Sequence, residues 1–253
     1  MAVADIAPER EGRGLYRALA FRRILVICGL LAALAMTVSL DLALGPASYP
    51  LAEVLSALFD PAGADLQTRV VIWDIRMPVA LMAVTVGGCL SLAGAQMQTI
   101  LANPLASPFT LGISAAASFG AALGLVVGVA LIPAAVQYMV PINAFIMAMA
   151  ASLFIYALST IRGVTVQTIV LLGIALVFTF NALLSLLEYL ASEQALAAVV
   201  FWTMGSLTKA TWGKVGATFL ILVICIPFFA RNAWALTALR LGDVKAASFG
   251  VNI

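Results

Sequence analysis

The stretch from residue 77 to residue 161 reads MPVALMAVTVGGCLSLAGAQMQTILANPLASPFTLGISAAASFGAALGLVVGVALIPAAVQYMVPINAFIMAMAASLFIYALSTI and contains no Asp, Glu, Lys, Arg or His. A soluble domain does not leave 85 successive positions without a charge, because its surface must meet water. The hydrocarbon core of a bilayer is about 30 Å thick and is crossed by about 20 helical residues. The stretch therefore predicts about three membrane crossings, with turns at residues 103–108 and 133–141, where prolines fall.

Composition extends the membrane assignment to the whole chain. Of its 253 residues, 64% are hydrophobic and 9% are charged, and the mean hydropathy is +1.14. In lipid each backbone N–H and C=O must bond within the protein, so the crossings are helices or a closed barrel. Residues 24–40 and 165–187 are apolar on every side and do not alternate as barrel strands do. We therefore predict an all-α fold, a polytopic membrane helix bundle.

Six segments are long and apolar enough to be predicted as membrane crossings. They are residues 24–40, 79–101, 110–131, 141–160, 165–187 and 215–230. A seventh apolar segment, residues 195–207, is short and lies between Glu193 and Lys209, so we predict a partly inserted half-helix on the outer side. In the long outer loop 41–74, the pattern of Leu51–Phe59 predicts a short amphipathic helix at the membrane interface.

The distribution of positive charge predicts the orientation of the chain. With the N-terminus in the cytoplasm, the inner segments hold nine Lys and Arg residues and the outer segments hold four. Inner loops are normally the richer ones, and an even number of crossings returns the chain to the inside. We therefore predict a basic cytosolic segment at 1–23, a transmembrane domain at 24–230 and a cytosolic segment at 231–253.

Small residues recur at four-residue spacing on two of the predicted crossings, which favours close helix packing. They are Ala83, Gly87, Ser91 and Ala95 on the second crossing, and Gly120, Gly124 and Gly128 on the third. Uncharged polar residues within the crossings, such as Asn143, are expected to form hydrogen bonds between helices. No charged residue lies centrally in any crossing, which argues against a carrier coupled to protons or sodium.

The sequence offers no enzymatic machinery. It contains no phosphate-cradling G-x-x-x-x-G-K-[ST] loop, and residues 205–209 do not complete one. No nucleophile–base pair or carboxylate dyad has a plausible site, and the absence of histidine excludes a haem or zinc site built on imidazole. We therefore predict no catalytic residue, no metal site and no cofactor, and ATP hydrolysis that drives transport would belong to a separate subunit.

Two segments on the predicted inner side are informative. Pro104 and Pro108 end both flanking helices in an uncharged turn, which fits burial against other protein. Residues 234–241 predict a short helix, Gly242 breaks it, and residues 243–249 predict a second. This helix pair fits either a lipid surface or a groove on a cytosolic partner.

Several motifs resemble those of the permease subunits of bacterial iron-siderophore, haem and cobalamin ABC importers, and the siderophore branch, which is favoured here, is more similar than the cobalamin branch. The matching motifs are RMP at 76–78, GGCLSLAGAQMQ at 87–98, NPLASP at 103–108, LGIS at 111–114, FWTMGSL at 201–207, LGD at 241–243 and GVNI at 250–253. The resemblance covers residue 24 to the end of the chain. Its most specific part is the NPLASP block in register with the GSL block.

The resemblance implies an assembly in the bacterial inner membrane. It implies a second permease copy or a paralogue, cytosolic ABC ATPase subunits, an extracytoplasmic substrate-binding protein, and a ferric-siderophore ligand. An outer arginine that the family uses to meet acidic residues of the binding protein corresponds to Arg76. Val79 stands where the family often has a second arginine. Docking is therefore expected to draw on Arg69 or Lys209, or to be weaker.

The resemblance also assigns a coupling role near the cytosolic side, and other residues are candidates for the pathway. It implies ATPase coupling through Leu236, Leu239, Arg240, Gly242, Asp243, Val244, Phe249 and Gly250. Candidates for the pathway and its loops are Gln98, Asn103, Pro104, Ser107, Pro108, Gly205 and Ser206. The predicted function is the translocation pathway of an ATP-driven importer for ferric-siderophore complexes. A chelated substrate needs no metal ligands from the protein, which agrees with the absence of histidine.

Members of that family have about ten crossings, whereas six are predicted here, so the sequence is expected to be a fragment or the product of a truncated gene. Two other functions stay open at this point. A secondary transporter or channel would need a coupling-ion site or a selectivity filter, and such folds often carry internal repeats. A truncated product that transports nothing is the other alternative, and the DNA that follows the codon for Ile253 would decide it.

Overall fold

Helices form all of the regular structure in the residues that the computed structural model describes, which are 7–44, 49–61, 63–132 and 138–251. In chain order they are α1 (Ala7–Ala43), α2 (Leu51–Phe59), α3 (Leu66–Arg69), a π-helical segment (Val70–Arg76), α4 (Met77–Ile100), α5 (Ile113–Ala122), a second π-helical segment (Leu123–Val127), α6 (Met139–Ser159), α7 (Val166–Leu190), α8 (Glu193–Met204), α9 (Trp212–Leu239) and α10 (Asp243–Ser248).

Five of these helical stretches are long and apolar enough to cross a membrane. They are Arg17–Ala43, Leu66–Ile100, Met139–Ser159, Val166–Leu190 and Trp212–Leu239. Their large apolar side chains are widely exposed, for example Leu30 on α1 and Ile224 on α9. Such surfaces are stable only in a medium as apolar as they are, so the predicted all-helical membrane fold is confirmed.

The predicted third crossing, residues 110–131, is shorter than expected. Its helical part is Ile113–Val127, which is below the length of the other five. Gly112 precedes it with φ 77° and Gly128 follows it with φ 72°, and both angles lie in the left-handed region that side chains disfavour. The two glycines therefore set the ends of this helix. Most of the predicted turn at 133–141 lies outside the described residues.

Helices α1 and α9 are longer than the apolar runs that predicted them. Helix α1 begins at Ala7 instead of residue 24, and α9 continues past residue 230 to Leu239. The predicted separate helix over residues 234–241 was therefore wrong as drawn, because residues 234–239 are the last turns of α9. Hydropathy identifies only the part of a helix that meets lipid, and the backbone of α9 stays helical as far as Leu239. Gly242, with φ 92°, lies in the turn that follows.

The chain divides into two compact units, residues 1–81 and 82–253. In the first unit, the end of α1, α2 and the π-helical segment share a small apolar core that includes Leu42, Val54 and Ile72. Polar side chains stabilise it: Trp73 Nε1 donates to the Ala57 carbonyl at 3.0 Å, and Thr68 donates to Glu53 at 3.1 Å. The predicted helix Leu51–Phe59 is confirmed at both ends, and it packs against this core.

In the second unit, α5 packs closely on α6 through Gly120. A Cβ atom at Gly120 would collide with the Asn143 carbonyl group and would lie 2.8 Å from Met147 Cγ. The Asn143 side chain is fully buried. It donates to the Val129 carbonyl at 2.6 Å and accepts from Leu131 N–H at 3.0 Å. Asn143 therefore satisfies backbone groups just beyond the end of the third helical crossing, where the helix no longer does so.

A second close contact joins the start of α5 to α7. A Cβ at Gly112 would lie 2.9 Å from Leu176 Cβ and 3.0 Å from the Val177 nitrogen. A Cβ at Gly173, on α7, would lie 2.9 Å from Leu111 Cα. Each glycine thus allows the backbone around the other to approach, which fits the role of small residues in helix contacts within membranes.

Candidate coupling and docking sites

The C-terminal corner is formed by the end of α9 and the short helix α10. Gly242 turns the chain between them, and Ala246 N–H donates to the Gly242 carbonyl at 2.9 Å. Ala238 on α9 and Ala246 on α10 are both buried where the helices meet. The rings of Trp234 and Phe249 pack edge to face, with centroids 6.3 Å apart. These contacts set the direction of α10 relative to α9.

The outer surface of this corner is apolar. Leu241, Val244 and Phe249 are exposed, and Val244 reaches 86% exposure. Leu236 and Leu239 are half-buried, Gly250 adopts φ 81°, and Arg240 is exposed at the end of α9. All eight predicted coupling residues thus lie on one helical corner and the turn after it. Asp243 begins α10, and its side chain is outside the described residues.

The turn that follows α4 has well-defined hydrogen bonding. Asn103 N–H donates to the Gln98 carbonyl at 3.1 Å, and Ala102 N–H donates to the Thr99 carbonyl at 3.2 Å. These two hydrogen bonds form a Schellman motif, a common way for a helix to end. The first residue past the end of such a helix has a left-handed backbone conformation and is usually glycine. Here that residue is Ala102, with φ 45°. The Asn103 side chain then accepts from Leu105 N–H at 2.9 Å, which orders the chain across Pro104.

A cleft of about 470 Å³ lies between this turn and the C-terminal corner. Gln98, Asn103 and Pro104 line one side, and Arg240 lines the other. The structure therefore brings three of the predicted pathway residues beside a predicted coupling residue. These residues are far apart in the sequence, and their meeting was not predicted.

A second cavity, of about 360 Å³, lies along α4. It is lined by Gln98, Ser107 and Pro108, together with Ser91 and Ala95 from the small-residue face of α4. The Ser107 segment is ordered by Thr110, whose hydroxyl donates to the Ser107 carbonyl at 2.7 Å. Gln98 lies between the two cavities and takes part in both.

The other pathway candidates lie in the turn after α8. Gly205 ends that helix with φ 77°, and Ser206 is exposed with its hydroxyl 2.8 Å from the Thr208 hydroxyl. Neither residue lines the two cavities described above. Their φ angle and hydrogen bonding are those of a turn, and a part in the pathway stays a prediction.

The three cations predicted to dock a binding protein differ in their surroundings. Arg76 is half-buried: its Nη1 donates to the Leu42 carbonyl at 2.6 Å, and its guanidinium lies 5.4 Å from the centre of the Tyr49 ring. Arg69 is exposed at the end of α3. Lys209 is exposed, and its carbonyl accepts from Lys214 Nζ at 2.8 Å. A binding protein that docked on Arg76 would have to share the guanidinium with the Leu42 carbonyl at the end of α1.

Sequence reasoning missed Trp234 and Ala102. Trp234 is part of the corner only because the turn between α9 and α10 brings Phe249 to it, so no local pattern marks it. Ala102 could have been found from its place directly before Asn103-Pro104, where a helix must end and a left-handed residue is common. Among the described residues no cluster of three or more His, Cys, Asp or Glu side chains is placed to hold a metal ion.

Comparison with known proteins gives relatives over most of the chain. A protein of Methanocaldococcus jannaschii named as an ABC transporter permease, MJ0087, is 35% identical over 236 residues, which cover 90% of this chain and 67% of that protein. An iron chelatin transport system permease of Helicobacter pylori is 35% identical over 184 residues, covering 72% of this chain and 54% of that protein. The chain thus spans between about half and two thirds of the length of these relatives.

A solved structure of a metal-chelate type ABC transporter in an inward-facing conformation superimposes with a TM-score of 0.73. The two sequences are 26% identical, and the match covers 90% of this chain and 68% of the other. These relatives are permeases, which agrees with the prediction that the chain is a transporter subunit rather than an enzyme. The model of the FecCD transport family matches residues 30–253, and the chain therefore belongs to the FecCD transport family.

Proposed function

We propose that this chain contributes the membrane pathway of an ATP-driven importer for ferric-siderophore complexes. The observation that carries the proposal is the family match over residues 30–253 together with helices long enough to cross a membrane. The name of the H. pylori relative, an iron chelatin permease, supports an iron chelate as the substrate. The assembly would lie in a bacterial inner membrane with the N-terminus in the cytoplasm.

The α9–α10 corner is proposed as the coupling surface for a cytosolic ABC ATPase. Its exposed apolar side chains lie next to charged ones, which is the composition of a helix that docks into a groove on a partner. Movement of the ATPase on binding and hydrolysing ATP would shift α9 through this corner. The helices would then exchange between states that open to opposite sides of the membrane.

The outer side is proposed to receive a substrate-binding protein through Arg69, Arg76 and Lys209. Arg69 and Lys209 are exposed, so their charges are available to carboxylates of a partner. Arg76 holds the end of α1 in addition. A second permease subunit, identical or paralogous, would complete the pathway.

The substrate is tested by uptake in cells that lack the gene and are complemented with it. Uptake of iron-55 as a ferric siderophore should return on complementation, whereas uptake of haemin or cobalamin should stay at background. Recovery of haemin or cobalamin uptake without siderophore uptake would contradict a ferric siderophore as the substrate and would identify haemin or cobalamin instead. Uptake that persists after inactivation of the cognate ATPase would contradict ATP-driven import and favour a secondary carrier.

The coupling surface is tested by placing a carboxylate in it. Val244→Asp changes a side chain that is 86% exposed, so the fold should be unaffected while binding of the ATPase subunit in detergent is lost. Phe249→Asp is a second variant at the same surface. Thr208→Asp, which adds the same charge in the turn after α8, is the matched control. Undiminished binding by both coupling variants would contradict the proposed coupling role.

A further inference from the structure

The end of α1 that lies away from α2 carries positive charge without an acidic neighbour. Arg17, Arg22 and Arg23 are all exposed. No Asp or Glu occurs between residues 12 and 40, and in the part of the chain that the structure describes none of the three arginines forms an ion pair. Helix α1 contacts the rest of its unit through its last turns, around Leu42. An anion that pairs with these arginines therefore comes from another molecule.

The length of the apolar stretch places these arginines at the level of the lipid headgroups. The membrane-length part of α1, Arg17–Ala43, has 27 residues and is therefore about 40 Å long. A bilayer measures about 40–45 Å with both headgroup layers, and about 30 Å of this is hydrocarbon. Residues 24–40 are uncharged and lie in the hydrocarbon, so residues 17–23 pass through one headgroup layer. This depth is the same whichever side of the membrane the N-terminus faces.

The arrangement of the three arginines around the helix separates lipid from a protein partner. Successive residues of an α-helix are about 100° apart, so Arg22 and Arg23 lie about 140° and 240° around the axis from Arg17. A protein partner covers one face of a helix, whereas lipid headgroups surround it on every side. Leu19 and Phe21, which lie between the arginines, are exposed as well. Apolar and aromatic bodies beside cationic tips suit the boundary between acyl chains and headgroups.

We propose that Arg17, Arg22 and Arg23 form a collar around α1 that binds the phosphate groups of anionic phospholipids. A guanidinium pairs with a phosphate through two parallel hydrogen bonds. A zwitterionic lipid carries its own cation beside the phosphate, so arginines without an acidic neighbour favour lipids of net negative charge. Each arginine near an anionic surface strengthens the attachment about fivefold. Because α1 packs on its unit through its last turns, the collar fixes the depth of its other end in the membrane.

The test measures the affinity of the purified full chain for single lipid molecules by native mass spectrometry in detergent. The probes are dioleoyl phosphatidylglycerol, which is anionic, and dioleoyl phosphatidylcholine, which is zwitterionic. The wild type should bind phosphatidylglycerol at least about tenfold more tightly, and this preference should fall as the ionic strength rises. The preference should fall below about threefold in the variant that combines Arg17→Gln, Arg22→Gln and Arg23→Gln. A matched control removes three exposed but scattered cations and should keep the preference; it combines Arg162→Gln, Lys214→Gln and Lys245→Gln.

A second collar variant separates loss of charge from loss of fold. Arg17→Lys, Arg22→Lys and Arg23→Lys together keep the charge and should keep the preference for phosphatidylglycerol, and gel filtration shows whether each variant is folded. An unchanged preference in the collar variant with Gln would overturn the proposal, and so would an equal loss in the scattered control. Displacement of phosphatidylglycerol by inorganic phosphate would assign the arginines to a free anion. Retained lipid preference with lost binding of the ABC ATPase subunit would assign them to a protein contact.

Discussion

The α5–α6 contact and the α9–α10 corner are both built on small residues, yet one is closed and the other is open. Gly120 and the buried Asn143 bring α5 and α6 together so closely that no side chain fits between them. At the corner, Ala238 and Ala246 are buried in the same way, but Val244 and Leu241 on its other side are exposed. Small residues therefore fix helix geometry in both regions, and the exposed apolar side chains of the corner form the surface proposed above for a partner.

The largest expected effect concerns the closed contact. Gly120→Ala places a methyl group against the Asn143 backbone, which cannot move aside as a flexible side chain can. We expect a loss of about 3 kcal/mol in the free energy of unfolding, the upper part of the range for overpacked sites. Thermal unfolding in detergent measures it. The control is Gly216→Ala on α9, where nothing lies within 4 Å and a neutral or slightly stabilising result is expected.

Asn143→Ala removes the side chain that satisfies the backbone after the third helical crossing. Two partly buried hydrogen bonds, to the Val129 carbonyl and from the Leu131 N–H, are lost, and each is worth about 1 kcal/mol, so a loss of about 2 kcal/mol is expected. Asn232→Ala is the matched control, because its amide donates only to the Phe228 carbonyl on an exposed turn of its own helix. Equal unfolding temperatures for the two variants would show that the closed contact does not depend on Asn143.

At the open corner, Trp234→Ala should loosen α10 without unfolding the protein. The edge-to-face contact with Phe249 is worth about 1 kcal/mol, so amide hydrogen exchange in Asp243–Ser248 should become several-fold faster. Phe228→Ala removes a ring that packs on Phe229 within α9 and should leave α10 unchanged. Unchanged exchange in the Trp234 variant would mean that the alanine contact alone holds the corner.

The smallest expected effect has the opposite sign. Ala102→Gly relieves the left-handed backbone angle at the end of α4, against a larger entropy loss on folding, and should stabilise the protein by about 0.5 kcal/mol. Ala95→Gly, inside the same helix, should destabilise it by about 0.5–1 kcal/mol. A destabilising result at Ala102 would mean that the observed angle carries no strain.

Helices whose ends are set by residues next to them in the sequence were predictable. The bounds of α2 follow from Pro50 before it and an amphipathic run, and α7 begins within one residue of its predicted start. The extension of α1 to Ala7 was not predicted, because hydropathy identifies only the part of a helix that meets lipid. The contact of Trp234 with Phe249 depends on the turn between α9 and α10, and the cleft at Arg240 depends on the end of α4 lying beside the end of α9. Neither arrangement can be read from a local stretch of sequence.

The contact between Gly112 and Gly173 has a consequence for how this chain can diverge. Each glycine makes room for backbone atoms beside the other, so a side chain added at either position meets main chain that cannot repack. A second substitution at the opposite position does not relieve the first. Saturation mutagenesis should therefore find both positions intolerant, with no rescuing pairs, and new specificities would have to arise at sites away from this junction.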